Sequence, residues 1–427
     1  MIETTGDRMM TMRTTDKPFK ITKKQVYEAY KAVKSNHGAA GVDKETIEQF
    51  EADLKGNLYK LWNRMSSGSY FPPPVRAVSI PKKSGGERIL GVPTVADRVA
   101  QTVVKQLIEP DLDALFLADS YGYRPGKSAL DAIGVTRARC WKYDWVLEFD
   151  IKGLFDNIDH ELLLRAVRKH VQCRWALLYI ERWLRAPMER EDGTNVERTR
   201  GTPQGGVVSP ILANLYMHYA FDLWMARIYP DLPWCRYADD GLVHCRNEQE
   251  AHALQAALQA RLMECRLEMH PTKTKIVYCK DGKRKGKYPN TKFEFLGYCF
   301  RPRSVRSRDD KLFCGFNPAV SPSALKAMRE EIRDLEVRRR TERSLNEIAE
   351  RLNPLLRGWI NYYGRYSPSA LAPLLRYVNQ TLLAWAMRKF KRLRGRKIRA
   401  SQFLLNLSRQ STHLFVHWRL GMTGVFA

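Results

Sequence analysis

Trp234-Cys235-Arg236-Tyr237-Ala238-Asp239-Asp240-Gly241-Leu242-Val243-His244-Cys245 sets two adjacent aspartates between apolar runs. Two apolar, strand-like runs, Trp234 to Ala238 and Leu242 to Cys245, flank Asp239, Asp240 and Gly241, so a hairpin with two carboxylates at its turn is expected. Alone, so short a pattern is better explained by a plain turn. Its weight comes from upstream, where the apolar run Trp145 to Ile151 carries Asp150 at its end, as a buried strand delivering a carboxylate does.

Polymerising nucleotides takes two divalent ions about 4 Å apart, one activating a primer 3′-hydroxyl and one holding the triphosphate. Hard Mg²⁺ takes carboxylate oxygen and keeps water and phosphate among its ligands. Asp150 beside Asp239 and Asp240 fits that need. Adjacent strand residues face opposite ways, so only one of the pair, expected to be Asp239, can share the ions closely with Asp150.

Phe155, five positions past Asp150, is placed to close over a nucleotide's sugar and exclude a 2′-hydroxyl; ordinary core packing is the alternative. Asp156, shortly before the helix expected from Asp159 to Arg168, reads as a capping or turn residue. Gly201-Thr-Pro-Gln-Gly-Gly206 is permissive backbone bearing one amide, Gln204, suited to lie against a base pair or simply to form a tight turn. Ser209-Pro210 then reads as a capping hydroxyl and first-turn proline, opening an apolar helix to about Ile228. Val75 to Ile80 and Arg88 to Val92 read as a hairpin through Lys83-Ser-Gly-Gly86. It carries Lys82 and Arg88, which suit a triphosphate clamp or a solvated hairpin. Lys273 and Lys275 are open in the same way.

The chain has 427 residues, 44% hydrophobic, with 72 Lys plus Arg against 46 Asp plus Glu and a formal charge of +26. It is long enough for several folded domains, and its charge points to a polyanionic partner. Residues 301–427 hold 26 basic and 9 acidic side chains, and nothing after Glu350 is acidic. The densest run is Arg388, Lys389, Lys391, Arg392, Arg394, Arg396, Lys397 and Arg399. On one helix these would surround the circumference and could not all face a core. Its eight cysteines lie at least ten positions apart and no HExxH occurs, which excludes the common zinc and redox motifs. No apolar run is long enough for a membrane span, and a soluble, cytoplasmic protein is expected.

Helical periodicity marks 22–34, 47–65, the Val99, Val103, Leu107 stripe, 160–170, 174–185 and 248–265; strands are expected at 276–279 and 293–300. Strands interleaved with long helices imply an α+β core, followed by a helical, cationic domain with the boundary in Arg301 to Asp310.

The order of these signals carries a resemblance: cationic hairpin, strand Asp with an aromatic five on, Gly-Thr-Pro-Gln-Gly, Tyr-Ala-Asp-Asp, Lys273-Thr-Lys275, then Phe295-Leu296-Gly297. Over about residues 25–420 the chain resembles the reverse transcriptases encoded by bacterial group II introns. The resemblance implies a right-hand polymerase, with fingers and palm over 21–300, a helical thumb or maturase domain X over 311–380, a basic segment at 381–427 able to bind DNA, and an N-terminal extension over 1–20.

By position it makes Asp150, Asp239 and Asp240 the carboxylates for two Mg²⁺ ions, joined by the Ile151 carbonyl. Phe155 becomes the steric gate, Gln204 a contact to the nascent pair, Lys82 and Arg88 triphosphate ligands, and Lys273 a ligand of the leaving pyrophosphate. Leu355 to Tyr363 (LLRGWINYY) and Leu414 to Gly421 (LFVHWRLG) look like thumb segments whose aromatics stack on bases. The implied partners are group II intron RNA, an RNA template with a DNA primer, target DNA and deoxynucleoside triphosphates, with no membrane. Many relatives also carry a zinc-bearing HNH endonuclease; no Cys pairs for one occur here, so insertion at existing 3′ ends is the expectation. A domesticated reverse transcriptase and a pure RNA-binding maturase are the competing readings.

Overall fold

The computed structural model describes residues 17–81, 85–306 and 309–422. Helices α1 (Lys23–Asn36), α2 (Ile47–Ala52) and α3 (Leu54–Ser67) open the chain. The continuous helix expected over 47–65 is broken at Asp53, which leaves helical geometry and turns its carboxylate onto the Gly56 amide to cap α3. Strands β1 (Val75–Pro81) and β2 (Glu87–Val92) form the expected hairpin, pairing Ile80 with Arg88. Helix α4 (Val95–Leu115), capped by Thr94, packs on α1.

Helix α5 (Ala129–Cys140) leads into β3 (Trp145–Asp150), followed by the short α6 (Leu154–Asn157), α7 (His160–His170) and α8 (Arg174–Arg185). Strands β4 (Met188–Glu189) and β5 (Asn195–Val196) extend the first sheet, β4 running parallel to β1.

Helix α9 (Ser209–Met217) passes through one wide π turn (His218–Asp222) into α10 (Leu223–Ile228). Ser209 does not cap it. The helix already includes Ser209, whose hydroxyl meets that of buried Thr202 at 2.7 Å. The hairpin β6 (Trp234–Tyr237) and β7 (Asp240–Cys245), helix α11 (Glu248–Glu264) and β8 (Lys275–Tyr278) complete the central sheet, of order β6-β7-β3-β8 and antiparallel throughout. Helices α4, α7, α8, α9 and α11 supply the core behind it through Val99, Leu163, Ile180, Leu215 and Leu258.

The expected strand at 293–300 is two strands, β9 (Phe293–Phe295) and β10 (Tyr298–Arg306), turned at Leu296 and Gly297, both with positive φ. β10 pairs with β11 (Leu312–Val320) in register from Tyr298↔Val320 to Arg306↔Leu312. Residues 301–306 of the expected boundary are therefore strand, and regular structure continues from Leu312 to Val320.

Helices α12 (Pro322–Asp334), α13 (Leu345–Tyr363), α14 (Ala372–Lys389), α15 (Lys397–Gln410) and α16 (Val416–Arg419) then share a second core. A division at 380/381 falls inside α14, and Leu382, Trp385, Leu404, Phe415 and Trp418 pack with Leu352 and Leu374. The terminal basic segment is thus part of the helical domain's core. Trp385, Phe415 and Trp418 are buried, so these aromatics pack inward and do not offer faces to bases. No helix among the described residues is long and apolar enough to cross a membrane.

Candidate active site at the end of the central sheet

Strands β3 and β7 pair in register, placing Asp150 opposite Asp240 and Phe149 opposite Gly241. The second pairing requires glycine: a Cβ at Gly241 would lie 2.1 Å from the Phe149 ring. Asp240 is thus the residue directly opposite Asp150 in the ladder, with Asp239 in the turn beside it. The hairpin turn sits between Tyr237 and Asp240, so the alternation of side chains restarts after Ala238, whose φ is +57°.

A cleft of about 230 Å³ is lined by Asp150, Asp240, Lys273, Lys275, Glu148 and Glu294, among others. Burial, followed by the charges of Asp239 and Asp150, pushes Asp240 up to about 7. Burial also raises Asp239, assisted by Asp150 and opposed by Lys273 and Arg88. Glu148, two residues before Asp150 on the same face of β3, is driven to about 7 by burial. Of the two lysines lining the cleft, Lys273 is the one bonded to Asp150, its Nζ lying 2.6 Å from Asp150 Oδ2. Burial works against its charge, but the bond to Asp150 and the fields of Asp240 and Asp239 outweigh it and raise its pKa. The cleft is short of positive charge.

The turn is held from behind. Arg236, fully buried, donates from Nε and Nη2 to the two oxygens of Asp222, each at 2.7 Å. Its Nη1 donates to the Ala238 carbonyl at 3.0 Å and to Asn214 Oδ1 at 3.1 Å, and Nη2 also reaches Ser120 Oγ at 2.9 Å. Asn214 donates in turn to the Gly122 carbonyl. Gly122 lies so close to the turn that a Cβ there would stand 2.5 Å from the Ala238 nitrogen. The π turn ending at Asp222 belongs to this device, since such widenings re-aim side chains at functional sites. Sequence reading missed Arg236, Asp222 and Asn214, because nothing local pairs residues on three elements.

The other expected residues form a rim. Gln204 donates from Nε2 to both oxygens of Asp156 at 3.0 Å and accepts from Arg88 Nε. Asp156 therefore anchors Gln204 and caps nothing; Asp159 caps α7. Phe155 is 8% exposed, belongs to the main core and meets Tyr123 edge-on at 6.3 Å. Tyr123, also missed, has a positive φ, lies near Tyr237 and senses the Asp239 charge. Its signal was the turn-rich Tyr121-Gly-Tyr-Arg-Pro-Gly126. Ile151 is buried and bridges to Met269. Lys82 lies outside the described residues.

The cationic run does not form one helix. Arg388 and Lys389 end α14, Lys391–Leu393 is a single 3₁₀ turn, Gly395 has φ +70°, and Lys397 opens α15. Lys391, Arg392, Arg394, Arg396, Lys397 and Arg399 are exposed.

Residues 80–300 match the reverse transcriptase (RNA-dependent DNA polymerase) family, and residues 325–403 match the group II intron, maturase-specific domain. The chain is 30% identical over 332 residues to protein YkfC of Escherichia coli K12, covering 66% of this chain and 80% of that one. It is 34% identical over 195 residues to the group II intron-encoded protein LtrA of Lactococcus lactis, covering 45% of this chain but 32% of that protein. Among solved structures it is similar to a Candida albicans telomerase in complex with a telomeric RNA fragment, at 12% identity and a TM-score of 0.45, covering 89% of this chain and 69% of that one. With a family match across half its length and a long alignment to YkfC, the chain belongs to the reverse transcriptase family and carries a group II intron maturase domain.

Proposed function

We propose that this protein copies an RNA template into DNA from a DNA primer, binds a group II intron RNA, assists its splicing and copies it at a target DNA. The observation that carries the reading is the convergence of Asp150, Asp239 and Asp240 at the end of one sheet, crowded enough that Asp240 titrates near neutrality, in a chain of this family.

Reverse transcriptases generally depend on divalent metal. Among the described residues no three acidic, histidine or cysteine groups already stand as a metal cage, but the donor chemistry fits. The cleft offers oxygen ligands only, partly desolvated and with two ammoniums, Lys273 and Lys275, against four carboxylates. Asp150, Asp239 and Asp240, with the Ile151 carbonyl, would hold two Mg²⁺ ions. When bound, these ions would supply activation of the 3′-hydroxyl and neutralisation of the triphosphate. Lys273, released from Asp150, is then positioned for the leaving pyrophosphate. Arg88, with Lys82, takes the triphosphate by exchanging its bond to Gln204. Gln204, fixed by Asp156, lies along the nascent pair. Phe155, held edge-on by Tyr123, closes the sugar side and disfavours a 2′-hydroxyl.

Asp239→Asn should lower primer extension on an RNA template by roughly 10³-fold, about 4 kcal/mol of barrier, while RNA binding changes less than about twofold. Extension at the wild-type rate would overturn the reading.

A further inference from the structure

Where the central sheet's helix α5 meets β10 and the turn that opens α14, the surface folds into a cleft of about 600 Å³. A second cleft of about 540 Å³ shares Arg137 and Tyr366 with it and adds Arg365. Arg137, Arg301, Arg303 and Arg365 line this seam together with Arg306, which is paired with Asp310 at 3.1 Å, and none of the described residues lining either cleft is acidic. It shares no lining residue with the carboxylate cleft.

The arginines are held in place by neutral groups. Arg137 donates from Nε to Asn317 Oδ1 at 3.1 Å, and its guanidinium lies 4.1 Å from the Trp141 ring and 5.6 Å from that of Tyr366. Arg303 donates to the backbone carbonyls of Asn317 and Cys299, each at 3.2 Å. Among the described residues none of the four forms an ion pair; Asp131 senses Arg365 only as a minor influence beside its bonds to Ser128. Arg98 and Arg182 likewise bond to backbone carbonyls, whereas other arginines are neutralised. Arg124, Arg139, Arg236 and Arg284 are each paired with an aspartate. Four guanidiniums gathered in one groove without a counter-charge repel one another, and an entering anion relieves that repulsion.

We propose that this seam binds RNA, with the phosphodiester backbone running from Arg303 and Arg301 past Arg137 to Arg365. Planar guanidinium forks match phosphate oxygens, and two clefts meeting at one arginine accommodate consecutive phosphates. Trp141, half exposed, and Tyr366 beside the path offer ring faces to unpaired bases. An RNA held there ties α5 to the start of α14 and so bridges the polymerase sheet and the helical domain. The inference rests on the reverse transcriptase and maturase reading for its partner, but it concerns a surface separate from the polymerase site.

The test compares the wild-type chain with the triple variant Arg301→Gln, Arg303→Gln, Arg365→Gln, using a labelled stem-loop RNA with a single-stranded tail over a salt series. Three lost phosphate contacts should reduce the log–log salt slope by about 2 and weaken binding by about tenfold or more at ~0.15 M salt. Extension of a short pre-annealed primer–template at saturation should be unchanged. An unaltered slope and affinity would overturn the proposal. An equal loss of extension in the folded variant would also overturn it, by placing the seam on the primer–template path. If the triple variant melts early, Arg301→Gln with Arg365→Gln, both exposed side chains, decides the question with a slope change of about 1.5. A wild-type chain that binds this RNA but extends no primer would defeat the polymerase reading while leaving the seam's own result intact.

Discussion

At the hairpin turn Tyr237 to Asp240 the chain buries its charges and fixes each one, whereas along Arg388 to Arg399 it exposes most of them and leaves them without a carboxylate partner among the described residues. Arg236 and Asp222 are 0% exposed and engaged on every side. Lys391, Arg392, Arg394 and Arg396 face solvent around a short 3₁₀ turn and a glycine. Removing one member of a buried pair strands the other in a low-dielectric interior, so such a pair is bound up with the fold. An exposed cation loses little when its neighbour goes, because water and salt already screen it. The contrast teaches that the first set serves geometry and the second is free to serve a partner.

The sharpest attempt to break this contrast is Arg236→Ala or Asp222→Ala, each expected to cost about 3–5 kcal/mol of stability in denaturant unfolding. Arg236→Lys keeps the charge but loses the fork that reaches Asp222, Asn214 and the Ala238 carbonyl together. It should fold, with extension impaired more than stability. A loss below about 1 kcal/mol for Arg236→Ala would put this pair with the exposed cations.

Acid titration comes next, because burial also fixes charge state. His244 and His417, one in each core region, are held down to about 3 by burial, with Arg139 assisting at His244. In the unfolded chain a histidine titrates near 6.5, so below that pH the unfolded state binds more protons. Their contribution is present above pH 6.5 and declines toward pH 3 by up to ~1.4 kcal/mol per pH unit for each. Asp240 and Glu148, raised to about 7, oppose this slope between pH 7 and pH 5, so it is read in equilibrium unfolding as the stability difference between the wild type and a His417→Gln variant, which can keep the contact with Asn379 that His417 Nε2 makes at 2.7 Å. A difference that does not change with pH would show that His417 does not remain neutral.

A smaller effect is expected for Asp240→Asn without divalent metal. Since folding raises Asp240 to about 7, its contribution is greatest at low pH and is lost as pH rises through 7. The variant should therefore exceed the wild type by about 1 kcal/mol at pH 8 in a chelator and match it at pH 5, although polymerisation is lost. Equal stability at pH 8 would show that the carboxylates are not electrostatically crowded.

The smallest change in stability should come from Lys391→Gln, Arg392→Gln, Arg394→Gln and Arg396→Gln together, within about 0.5 kcal/mol. The same variant should flatten the salt dependence of RNA or DNA binding by about 0.7 to 0.9 for each lost phosphate contact. An unchanged slope would assign this run to a solvated surface.

Elements whose signals are local were legible in the order of residues alone. Helical spacing located α7 and α8, the apolar run ending in Asp150 marked β3, and Asp-Gly between strand-like runs marked the β6–β7 turn. The three carboxylates were legible for the same reason, since strand ends and hairpin turns are written in neighbouring residues. Tertiary structure alone decided which aspartate faces Asp150, because the register is set by the approach of Phe149 to Gly241 across the ladder. It set Ser209 against Thr202 instead of at a cap, and Asp156 against Gln204. It carried β10 and β11 through the expected boundary and drew the terminal segment into the helical core. It also brought Arg236, Asp222 and Asn214 together behind the turn and left Arg137, Arg301, Arg303 and Arg365 without an ion-pair partner among the described residues. Periodicity and turn chemistry report on residues close in the chain; the partner of a charge is chosen among groups that only folding makes neighbours.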